Sequence, residues 1–93
     1  MRLNFEQVHN YYERLIFEEV AKRSHEYPDF TEDMFSDVTC VALNRLPARY
    51  VRHDVDMMFY MTEKERHAIE TSMNDVLKFA FGFVLERATK TSN

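Results

Sequence analysis

One glycine, two prolines, one cysteine and no tryptophan are what the 93-residue sequence offers by way of scarcity, and each shortage excludes something. A single glycine, Gly82, cannot build a Gly-rich phosphate cradle. So few chain breakers argue for long helices over a turn-rich β fold. A lone Cys40 cannot staple the fold, so the chain reads as reduced and cytoplasmic, with Cys40 a small core or interface residue. No apolar run approaches the roughly 20 residues that span a bilayer, and no charged start leads into an apolar run with a cleavage site, so a soluble protein with no membrane partner is expected. Positive charge is short as well: the formal net charge is −4, which works against binding a nucleic-acid polymer. Four histidines, His9, His25, His53 and His67, are scattered, and no two stand at i,i+4. With no nucleophile constellation and no carboxylate in an evidently apolar run, the expectation is a non-enzyme without metal or cofactor.

What is present is apolar and aromatic. Eight Phe, five Tyr and six Met in a chain that is 45% hydrophobic supply more adaptable apolar surface than one small core consumes. Residues 1–93 allow one domain, and small domains gain stability by association. The fold class expected is all-α: three long helices plus a short extended or irregular segment, assembled as a homodimer.

The first helix is expected to start at Asn4, with Gln7 in the capping-box position, and to run to about Ser24. Phe5, Val8, Tyr12, Leu15, Ile16 and Val20 form its stripe, and Glu18 to Lys22 and Glu19 to Arg23 stand at i,i+4. His25 to Pro28 forms a loop. Asp29 is the preferred N-cap of the second helix, with Glu32 three residues on, and Thr31 the cap of a shorter version. Its stripe is Met34, Val38, Val41 and Ala42. Pro47 disfavours α geometry at Leu46, so this helix ends near Asn44 or Arg45, and Asn44 suits a left-handed terminus.

Arg49 to Tyr60 supports two readings. Val51, His53, Val55, Met57 and Phe59 alternate with polar residues as in a strand, which needs a partner from the same loop or a second subunit; alternatively the segment is irregular and turns helical at Asp56. A third long helix follows from Thr62 to Arg87, opened by the T-x-x-E box of Thr62 and Glu65 and striped by Ile69, Met73, Val76, Leu77, Ala80 and Val84. Phe79, Phe81 and Phe83 add bulk on further sides, which suits burial against a symmetry mate. From about residue 88 the tail is expected to be disordered.

The run from Asp37 to Val51, DVTCVALNRLPARYV, resembles the signature of the late competence development protein ComFB family, roughly D-[IV]-x-x-x-A-L-N-x-L-P-[PA]-x-Y-V. The opening, from Asn4 through Glu13, Leu15 and Val20, is similar as well. Some family members carry a cysteine cluster just before the signature helix and use it for zinc; Asp29 to Ser36 holds no cysteine, so a structural zinc is not carried over.

One cluster invites a ligand hypothesis: Arg45, Arg49, Tyr50 and Arg52 beside His53, followed by Asp54 and Asp56. Guanidinium groups grip phosphate and stack on purines, a tyrosine ring stacks on a base, and a carboxylate reads the donor edge of guanine. The alternative is that the arginines pair with carboxylates on neighbouring helices and Tyr50 packs over the core. The resemblance implies a regulatory role, and family members include receptors for cyclic dinucleotides. On that reading Arg45, Arg49 and Arg52 hold phosphates, Tyr50 stacks, and Asp54 or Asp56 selects cyclic di-GMP over cyclic di-AMP. A protein–protein adaptor in competence or pilus-related regulation, docking an unknown regulatory partner through the Phe-rich helix, is the competing expectation.

Overall fold

The computed structural model describes residues 1–91, and the chain runs β1 (His9–Asn10), α1 (Tyr12–Arg23), a 3₁₀ turn (Ser24–Glu26), α2 (Glu32–Arg45), β2 (Tyr50–Val51), α3 (Asp54–Tyr60) and α4 (Glu63–Thr91). The fold is mainly helical, with a two-stranded antiparallel ladder that pairs His9 with Val51 and Asn10 with Tyr50. α2 is the central element, packing against α1 on one side and α4 on the other. Ile16 and Val20 from α1, Val38, Ala42 and Leu46 from the α2 segment, and Leu77, Ala80, Phe81 and Val84 from α4 close the core. Each large apolar side chain removed from water here contributes about 1.5–3 kcal/mol. Tyr27 lies flat on Phe81, with ring centroids 4.4 Å apart, and Phe30 and Phe35 join the same aromatic cluster. The α1–α2 loop is thereby fastened to α4. A hydrogen bond from Arg23 Nη2 to Asn74 Oδ1 ties the end of α1 to α4 directly.

The helix ends follow local chemistry. Thr31 caps α2, its hydroxyl accepting the Met34 amide, so the shorter of the two expected versions forms and Asp29 is not the cap. At the other end Leu46 adopts extended geometry before Pro47, which stops the helix at Arg45 as the sequence predicts. The stop needs no left-handed residue: Asn44 stays helical and donates its side-chain amide to the Cys40 carbonyl. Thr62 accepts the Glu65 amide and opens α4. Met73, Leu77, Ala80 and Val84 are buried along the expected stripe, with Ile69 and Val76 partly buried.

Other expectations are corrected. The first helix starts at Tyr12, not Asn4: Asn4 instead accepts the Glu6 amide in a tight turn, and Phe5 and Val8 are exposed. The chain spends residues 9 and 10 on the ladder, which forbids helix there. Glu18 pairs with Arg14, not Lys22, while the Glu19–Arg23 pair forms at 3.6 Å. Both readings of 49–60 hold in part, because a two-residue strand precedes a helix that begins at Asp54, and the strand's partner is neither the same loop nor another subunit but the amino-terminal segment. α4 continues through Thr91, past the point where a disordered tail was expected; residues 92 and 93 lie outside the described residues. Cys40 is exposed and is not a core residue. No helix among the described residues is long and apolar enough to cross a membrane.

Candidate functional site

Asn10 is the residue that shapes the candidate site, and it is the buried polar side chain of the core. Its Oδ1 accepts two backbone amides, from Tyr12 at 3.3 Å and from Arg49 at 3.0 Å. The Arg49 carbonyl in turn accepts the Tyr11 amide at 2.7 Å. The first turn of α1 and the exit from α2 are therefore pinned to one another through a single amide group. With its backbone committed on both sides, Arg49 leaves its side chain in solvent, and the next residue, Tyr50, shows 69% of its surface. Arg52 is exposed too. Among the described residues neither Arg49 nor Arg52 meets a carboxylate.

The six residues singled out from the sequence are not all brought together. Arg45 lies on α2, its guanidinium carbon 3.9 Å from the centroid of the Phe79 ring on α4, so it caps the α2–α4 seam. Arg49, Tyr50 and Arg52 follow along β2 and the turn after it. Asp54 begins α3, and its Oδ1 lies 2.6 Å from His9 Nε2. Asp56 is exposed two positions further, its amide donating to the His53 carbonyl at 3.1 Å. Arg49 to Asp56 thus form an open surface with cationic, aromatic and acidic groups in order along the chain.

Two residues that matter to this surface were missed from the sequence, Asn10 and His9. Asn10 carried a usable signal, since Asn10 and Glu13 stand at capping-box spacing, as Asn4 and Gln7 do. His9 carried none, because its partner is 45 residues away. The His9 ring is half-buried between Asp54 and the Gln7 carbonyl. Its hydrogen bond to Asp54, helped by the one to Gln7, raises its pKa above the ordinary histidine value of 6.5.

Larger hollows lie elsewhere. A groove of about 610 Å³ between α2 and the end of α4 is lined by Met34, Asp37, Cys40, Val41, Phe83 and Arg87, among others. Its neighbour, about 620 Å³, is bordered by the Tyr27–Phe30 loop and Leu85. Neither is lined by any of the six. Among the described residues no three His, Cys, Asp or Glu side chains group so as to hold a metal ion.

Comparison with known proteins places the chain. No curated protein and no solved structure matches it. A family model, that of the late competence development protein ComFB, matches residues 9–88, from the first residue of the ladder to the last turns of α4. The matched span contains the Asn10 pin, the α2 exit and the whole core, and the chain belongs to the late competence development protein ComFB family.

Proposed function

We propose that this protein is a non-catalytic regulatory module of competence-type signalling that binds a cyclic dinucleotide, cyclic di-GMP in preference to cyclic di-AMP, as a cytoplasmic homodimer. Membership of the ComFB family supports the regulatory role. The observation that carries the ligand reading is the state of the α2 exit: Arg49 and Arg52 without carboxylate partners among the described residues and Tyr50 exposed, on a backbone fixed by Asn10. Guanidinium groups not already paired are the ones free to take phosphate in a forked geometry, and an exposed ring on a rigid strand stacks on a base at little cost in conformational entropy. Asp54 and Asp56 supply acceptors for the guanine donor edge. Arg45, committed to Phe79, serves the ligand only if it leaves that ring.

A dimer suits both the ligand's two-fold symmetry and the protein's shape. The radius of gyration is 15.6 Å, against about 12 Å for a compact chain of this length. Phe79 and Phe83 stack on one another yet remain 42% and 38% exposed.

The adaptor reading draws on a different observation, the exposed Val55, Met58, Phe59 and Tyr60 of α3, which offer a docking face to a regulatory protein with no small molecule involved. Isothermal titration of cyclic di-GMP, with cyclic di-AMP and GTP as controls, separates the two. Saturable heat with a fixed stoichiometry per dimer, strongest for cyclic di-GMP, is expected. Absence of heat and of competition at high concentration leaves the adaptor.

A further inference from the structure

His9 makes two contacts at once: Nδ1 lies 2.7 Å from the Gln7 carbonyl oxygen, and Nε2 lies 2.6 Å from Asp54 Oδ1. A carbonyl and an ionised carboxylate only accept, so both ring nitrogens must donate. Only the imidazolium form does that; a neutral ring presents a lone pair to one of the two. We infer that His9 is a positioning residue for Asp54, clamping the start of α3 to the amino-terminal strand while both of its ring nitrogens carry protons.

The geometry gives the clamp its reach. His9 sits in β1 opposite Val51, and Asp54 opens α3 three residues after that rung, so one ring bridges strand, turn and helix. The charged groups facing it are Asp54 from α3 and Glu13 from α1, both of which favour the cation. α3 has little else to fix it, since Met57 is its buried side chain. Loss of the proton therefore frees either the Gln7 turn or the Asp54 carboxylate. The sign follows: with the folded-state pKa raised, the clamp is fully in place below about pH 6.5 and is lost as pH rises through the raised value. Resting on the nucleotide reading above, the same proton holds one Asp54 oxygen in place and leaves the other to the base, so the ligand surface is best ordered on the acidic side.

Ring-nitrogen NMR titration of the full chain tests the clamp directly. His9 is expected to titrate above the ordinary histidine value of 6.5, the amides of Asp54 to Met57 should move with the same midpoint, and Asp54→Asn should lower the His9 midpoint. A His9 midpoint indifferent to Asp54→Asn, or α3 amides that ignore it, overturns the proposal. Should Asp54→Asn fail to fold, His9→Gln serves: its melting temperature should vary less between pH 6 and pH 8 than that of the wild type, and an equal slope overturns the clamp. Cyclic di-GMP titrated at the two pH values should bind the wild type several-fold more weakly at pH 8, and His9→Gln equally at both. If no heat appears at either pH while the NMR midpoint behaves as stated, the nucleotide reading falls and the clamp stands.

Discussion

Replacing Asn10 by alanine leaves the buried Tyr12 amide and the part-buried Arg49 amide without their shared acceptor. Burying unsatisfied donors costs about 1–3 kcal/mol, so Asn10→Ala should lower the free energy of urea unfolding by about that amount. A variant as stable as the wild type would show that the pin does not hold the α2 exit. Arg49→Ala makes the opposite test, since its side chain touches no carboxylate among the described residues and its backbone bonds survive the change: helicity should stay intact while cyclic di-GMP affinity drops at least tenfold, about 1.4 kcal/mol. Unchanged affinity removes Arg49 from the site. Residue types and their chemistry were legible here, because Arg, Tyr and Asp announce what they can bind. Which of them were already engaged was not legible: Arg45 over Phe79 and Asp54 on His9 depend on approaches between distant segments that no local pattern encodes.

At the scale of the element, stops and caps written in adjacent residues came through. Pro47 ended α2 and Thr62 opened α4 because each acts on its immediate neighbours. The start of α1 did not come through. Phe5, Val8 and Tyr12 fit a helical stripe, but periodicity states only which face would be apolar, and the competing ladder with Tyr50 and Val51 is a pairing across the chain. The cap of α2 gives a measurable distinction. Thr31→Ala should cost about 1 kcal/mol in thermal unfolding, whereas Asp29→Ala, lacking any capping bond, should cost little. Gly82 offers a second one. It sits within α4, and a methyl group added there meets nothing within 4 Å, so Gly82→Ala should stabilise the isolated chain by about 0.5–1 kcal/mol. Destabilisation would mean that another body lies against that turn of α4.

The whole molecule is long for its mass, with principal extents of 54 × 38 × 21 Å. The first turns of α4 contribute to this, since between Glu63 and Ser72 only Ile69 is partly buried. A chain that leaves Phe59, Tyr60, Phe79 and Leu85 substantially exposed should associate, and its melting temperature should rise with protein concentration. A midpoint constant over a hundredfold range of concentration would establish a monomer and take away the proposed two-fold site. Overall helicity and the main core stripe were readable from composition and period, because burial against any neighbour demands the same apolar face. The extended shape was not, since it depends on which faces are left without a neighbour.

The Asn10–Arg49 bond joins positions 39 residues apart, and so closes the intervening chain, α1 and α2 included, into a ring. Closing a loop of that size costs about 3 kcal/mol of entropy, more than a two-rung ladder returns unaided. The ring stays shut only while the helices inside it stay packed. Arg49, Tyr50 and Arg52 are thus displayed in order only by molecules whose core is intact, which makes the surface an interlock: a destabilised or half-folded copy loses the proposed ligand face before it loses its helices. Amide exchange at Arg49 should accordingly run at the rate at which α1 parts from α2, orders of magnitude slower than its place on a two-residue strand would suggest.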